Sequence, residues 1–265
     1  MGGPFTTATE LVGAEWLKIR TTRMYWVFAI VAAVFTGGLV TLIAALIPAE
    51  ELALTDDALL GFTMPGAIVG LLMLVVGVLG MAGEFRHGTI TYTFLAAPHR
   101  ERVVLLKLGV YFVVGVVAAV AALLLTQLLL MVILPLRGLD ILWPHGDIWS
   151  YYGKLLLTTG LFAAFGVALG ALLRSQVLAV ALTLSWMVLE VTIIPPLLLL
   201  AGLDQVQQWL PLNIFFQATG MAEAMGGEEA GQLVMSAGKA MLVGVGYIAV
   251  VAVVSVFTTM RRDVT

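Results

Sequence analysis

Six apolar runs dominate this chain: Met24 to Ile47, Leu59 to Met81, Leu106 to Leu134, Leu155 to Leu173, Val177 to Leu200 and Met241 to Thr259. A bilayer's hydrocarbon core, about 30 Å thick, takes roughly 20 helical residues to cross, and lipid satisfies no bare backbone N–H or C=O. Each run therefore reads as a transmembrane helix. The fold class expected is an all-α membrane protein, one transmembrane domain over residues 1–265. Composition agrees, with 61% hydrophobic and 11% charged residues against about half and a quarter in soluble domains. A net charge of −3 gives nucleic acid no basic footprint, so none is expected as a partner. The chain has no cysteine, which excludes disulfides, thiolate nucleophiles and cysteine-held iron–sulfur clusters.

An even number of spans returns both termini to one side, and loop cations say which. Lys18, Arg20, Arg23, Arg86, Arg100, Arg102, Lys107, Arg174, Arg261 and Arg262 fall on one face; Arg137, Lys154 and Lys239 fall on the other. The excess predicts cytoplasmic termini in a plasma membrane, bacterial by expectation. No cleavable signal peptide is expected, because the first apolar run exceeds the usual length and lacks a small-x-small site after it.

Before the first span, Val12, Trp16 and Ile19 share one helix face while Glu15 and Lys18 turn elsewhere, the pattern of an amphipathic helix. With Trp16 at headgroup level and Arg20 beside it, this stretch is an interfacial helix, serving as an anchor or as a contact for a partner. Gly66 with Gly70, and Gly166 with Gly170, each leave a small-residue face for close packing, within one copy or between two. Between the fifth and sixth spans, Trp209, Leu210, Leu212, Ile214, Phe215 and Phe216 carry too much apolar surface for a solvated loop, which predicts short outer-leaflet helices before the sixth span. Pro195 and Pro196 are expected to end or kink the fifth span.

Catalytic residues are not expected. No H-E-x-x-H or G-x-S-x-G occurs, the three histidines fall in loops, and "GGEEAGQL" lacks the Lys and Ser/Thr of a phosphate loop. No metal site and no cofactor bound by this chain are expected. Glu190 is the ionisable residue in the middle of a run. It is a functional candidate, or else a neutral glutamic acid bonded to a neighbouring helix, because a lone charge at mid-bilayer costs at least a few kcal/mol.

The stretch "GEFRHGTITYTFLAAPHRERVVLLK", residues 83–107, interrupts the oily pattern between the second and third spans. Gly88 and Pro98 enclose a short element, read as a brief surface helix, since an isolated strand would have no sheet to join. With "EWLKIRTTR" before the first span and the six-span layout, this stretch resembles the ABC type-2 transporter permeases, and the likeness covers essentially the whole chain. The resemblance implies a cytoplasmic coupling helix that docks in a cleft of an ATPase subunit, carried here by Glu84, Arg86, His87, Gly88, Thr89, Thr91, Thr93, Pro98 and Arg100. The interfacial helix, with Glu15, Trp16, Lys18 and Arg20, would lie beside it. It further implies a separate ATP-binding-cassette ATPase holding ATP and magnesium, and a second permease copy or paralogue across the pathway. An ABC exporter moving an amphipathic or hydrophobic substrate is the expected function. Topological anchoring alone would also use these cations, which snorkel to phosphates. The alternative is a proton- or ion-coupled secondary transporter using Glu190; an enzyme acting on lipids would want acid pairs or histidine clusters that are missing.

Overall fold

The computed structural model describes residues 8–48, 56–91, 100–141, 143–144, 146, 148–173, 175–220 and 235–257. Among them every regular element is helical. Helix α1 (Ala8–Thr21) leads through Thr22 into α2 (Arg23–Leu46), followed by α3 (Asp56–Arg86) and α4 (Arg100–Leu136). Then come α5 (Ile148–Leu172), α6 (Gln176–Leu200), a 3-10 turn at Asp204–Trp209, α7 (Pro211–Ala218) and α8 (Ala237–Ser255). Helices α2 to α6 and α8 are long and apolar enough to cross a bilayer. The chain is an all-α integral membrane protein, with six spanning helices among the described residues.

Helix α5 is the hub, packing on α3, α4, α7 and α8. It is hydrophobic all round, as a helix enclosed by others must be. Glycine sets its distance from α3. A Cβ at Gly77 would stand 2.1 Å from the Ala163 carbonyl oxygen, and one at Gly166 would stand 2.0 Å from that of Leu74. The two backbones touch where no side chain fits. Gly66 and Gly70 face Leu155 and Phe162 in the same register, so these small-residue faces are used inside one copy, with α3 and α5 parallel. The core of Leu74, Met81, Tyr111, Phe162 and Phe215 gathers around this contact.

Several boundaries differ from the hydropathy reading. Helix α3 runs past Met81 to Arg86, and α4 begins at Arg100 rather than Leu106. Pro195 and Pro196 do not end α6. The helix widens first into a π turn over Leu189–Ile193, where the Ile194 amide reaches the Leu189 carbonyl, and then continues to Leu200. The π turn lies just before the two prolines, whose nitrogens have no hydrogen to donate to the preceding turn. At the end of α2, Arg137 satisfies the last carbonyls instead, donating from Nη1 to Ala44 O and, at 2.8 Å, to Ile47 O.

Candidate functional site

The start of α4 and the end of α3 stack their polar residues one helical turn apart, Gly80 and Glu84 on one helix, Lys107 and Tyr111 on the other. Residues four apart share a face, so each pair meets its counterpart across the interface. Lys107 and Glu84, only 1% and 4% exposed, are 2.9 Å apart from Nζ to Oε1. Helix α1 closes the arrangement. Lys107 Nζ lies 2.8 Å from Glu15 Oε2, Lys18 Nζ lies 2.8 Å from Glu15 Oε1, and Lys18 also donates to Glu84 Oε1. Two carboxylates and two ammoniums alternate in a closed ring across three helices.

Below the ring Tyr25 of α2 and Tyr111 of α4 share a hydrogen bond between their hydroxyls, with ring centroids 6.2 Å apart. Tyr111 is fully buried, and it fits because position 80 is glycine: a Cβ there would sit 2.0 Å from its hydroxyl. Burial alone would raise the Glu15 carboxyl, but Lys107 and Lys18 outweigh it and hold the group below its usual 4.5. Lys18 mirrors this. Burial pulls it down, yet Glu84 and Glu15 lift it well above 10.5. Both groups are therefore charged at neutral pH.

The polar stretch continues from the end of α3 that carries the ring. After α3 the chain turns at His87 and Gly88, whose φ of 67° is the left-handed conformation that glycine adopts freely, and Thr89 to Thr91 resume a helical turn. Arg86, His87, Gly88, Thr89 and Thr91 are exposed, whereas Ile90 is buried in the core. Thr93 and Pro98 lie outside the described residues; of Arg100 only the backbone, the first residue of α4, is described. Among the interfacial-helix residues, Trp16 and Arg20 are exposed while Glu15 is buried and Lys18 half-buried. Helix α1 thus turns its charged face inward, the reverse of an amphipathic anchor lying on lipid. By sequence, Glu84 and Lys107 group with the polar stretch of residues 83–107 between the spans, outside the helix interiors. Neither is there. Their signal was position: each sits within a turn of an apolar run, where a charge is expensive unless matched.

Glu190, 4% exposed, occupies the π turn of α6. Its Oε1 accepts from the Asn213 amide at 2.9 Å. Asn213 is in the first turn of α7, whose N-cap position, Leu210, offers no side-chain acceptor. A carboxylate from a different helix therefore caps α7 and faces the positive end of its dipole. A polar chain continues: Gln217 donates to Asn213 Oδ1 at 2.7 Å and to Gln208 O at 3.0 Å, and accepts from the Met235 amide at 2.6 Å. Tyr247 of α8 donates to Trp209 O at 2.7 Å. The apolar residues of this connection, Leu212, Ile214 and Phe215, are buried in the bundle.

A family model described as a protein of unknown function, DUF2705, matches residues 54–265. The chain belongs to the DUF2705 family. The DUF2705 match runs from the segment before α3 to residue 265, taking in Glu84, Lys107 and Glu190; the ring's other half, Glu15 and Lys18 on α1, precedes it. No curated protein matches the chain.

Proposed function

We propose that this DUF2705 chain is the membrane-spanning permease subunit of an ATP-binding-cassette exporter of the ABC-2 type. It moves an amphipathic or hydrophobic substrate, and ATP and magnesium are handled by a separate ATPase subunit. A second copy of the chain, or a paralogue, completes the pathway. One observation carries this reading: the largely exposed turn from Arg86 to Thr91 begins two residues after Glu84, whose ion ring ties α3 to α1 and α4. A push on that turn reaches three helices without passing through a flexible linker, as a handle for a soluble motor requires. Topological anchoring needs cations at the surface but no buried ring. In this reading the turn faces the cytoplasm of a bacterial cell, with both termini on that side.

Coexpression with a chromosomally adjacent ATPase carrying a phosphate loop, followed by purification through a tag on either protein, tests the proposal. The two are expected to elute together, and His87→Glu or Thr91→Arg on the exposed turn is expected to separate them while the permease stays folded. Transport by the chain alone in vesicles would overturn the reading.

Glu190 supports a second reading, an ion- or proton-coupled transporter, because its Oε2 is buried and makes no hydrogen bond among the described residues. Glu190→Gln separates the two. The amide oxygen still caps α7, so unchanged transport leaves Glu190 a structural cap, whereas abolished transport in a folded protein makes it a relay.

A further inference from the structure

Outside the ion ring, α1, α2 and α4 enclose an apolar groove of about 530 Å3, floored by Met73 and Val76 of α3. Its space comes from small side chains: Ala29 and Ala33 on α2 face Ala118 and Ala121 on α4, where larger residues would close the gap. At its mouth stand Trp16, Arg20 and Trp26. The indole of Trp26 donates to the Arg20 carbonyl at 3.0 Å, which fixes the corner between α1 and α2. Arg20 and Arg23 are exposed, and neither guanidinium has an ion pair among the described residues.

We infer that this groove is a binding site for one anionic phospholipid, its phosphate on Arg20 and Arg23 and one acyl chain laid between α2 and α4. Three features select that occupant. The walls are apolar and belong to membrane-spanning helices, so what meets them is a hydrocarbon chain. The groove's length fits one leaflet: Val114 to Leu125 covers about 16 Å along α4 at about 1.5 Å per residue, close to half of a hydrocarbon core of about 30 Å. Charge is placed at one end only, beside two indoles of the kind that settle at headgroup level, which is the polarity of a lipid and not of a spanning helix from another protein.

Occupancy bears on the ring as well. Tyr25 lines the groove with its ring while its hydroxyl bonds Tyr111 under Lys107. A seated acyl chain supports the wall on which the α1–α2 corner and the ion ring lean, so the lipid acts as a removable part of the joint.

The test uses the full chain reconstituted in phosphatidylcholine vesicles containing a minor fraction of phosphatidylglycerol with a photoactivatable diazirine on one acyl chain. Adducts are expected on the peptides carrying Ala29 to Ala33 and Val114 to Leu125. Ala33→Leu with Ala121→Leu, both exposed positions, fills the groove and is expected to cut those adducts about tenfold, the equivalent of about 1.4 kcal/mol. Arg20→Gln keeps the groove open, and a lost charge-assisted contact is expected to lower labelling by phosphatidylglycerol about tenfold relative to an equally labelled phosphatidylcholine. Adducts spread evenly over α6 and α8, or yields unchanged in both variants, would overturn the site. Displacement by inorganic phosphate would show an anion site without a lipid. Because the chain has no cysteine, Ala33→Cys gives a clean crosslinking probe, and disulfide-linked dimers through it would give the groove to a second copy instead.

Discussion

Two buried carboxylates, Glu84 and Glu190, are each 4% exposed and meet the cost of burial in opposite ways. Glu84 is held by two lysines inside a ring of side chains, whereas Glu190 rests on the backbone amide that opens α7. A ring of formal charges is all or nothing, because removing one member strands its neighbours in a low-dielectric interior. A dipole cap is forgiving: any acceptor of the right shape serves it, charged or not. The ring thus suits a place where helices must move together, and the cap suits a place where a short helix must simply stay put.

The comparison breaks first at Lys107. Lys107→Met leaves Glu15 and Glu84 sharing the half-exposed Lys18, and a loss of about 3–5 kcal/mol is expected from an orphaned buried charge, read as a lowered unfolding midpoint in mixed micelles. Adding Glu84→Gln to that variant is expected to recover much of the loss, and strict additivity of the two changes would argue against a coupled ring.

Gly80→Ala attacks the same end without touching a charge. The new methyl must push Tyr111 off Tyr25, and overpacking of this kind costs about 1–3 kcal/mol; a matching fall in thermal stability checks it. At the other end, Glu190→Ala is expected to cost about 1–3 kcal/mol by leaving the Asn213 amide unpaired, while Glu190→Gln costs less than half as much. Equal losses for Ala and Gln would mean that charge, and not acceptance, is what α7 needs.

The smallest effect is pH. Glu15 is held below 4.5, so its contribution is present above that value and is lost as pH falls through its lowered folded-state value. Lys18 is raised above 10.5, so its contribution is complete below 10.5 and is lost only as pH rises through the folded-state value. The protection factor of α1 amides, exchange corrected for its intrinsic base catalysis, is therefore expected to stay flat between these limits and to fall in acid, while protection around Asn213 shows no matching acid step from Glu15.

Hydropathy located all six spanning helices because lipid imposes one length and one polarity on each. It misplaced the ends of α3 and α4 for the same reason: Glu84 and Arg86 after Met81, and Arg100, Glu101 and Arg102 before Leu106, read as loop when scored singly, although Glu84 is neutralised by Lys107 inside the helices. Lys18 and Glu84 stand far apart in the chain, and only the folded helices reveal that they meet. The apolar connection before α8 was legible from Leu212, Ile214 and Phe215, which no solvated loop would carry. Its cap was not, since Glu190 shows its charge in the sequence but not its partner. Of the two outcomes expected at Pro195 and Pro196, an end is ruled out and a distortion is found, as a π turn over Leu189–Ile193 that local propensity does not reveal.

The hub position of α5 has a consequence for biogenesis. The Gly66, Gly70 and Gly77 face of α3 is filled by α5, so until the ribosome has delivered Ile148 to Leu172 that face lacks its partner, although α1 to α4 already hold every member of the ion ring. A chain truncated before residue 148 is therefore expected to keep the contacts that α1 to α4 make among themselves and to lose the glycine seam, which limited proteolysis of the nascent product would reveal.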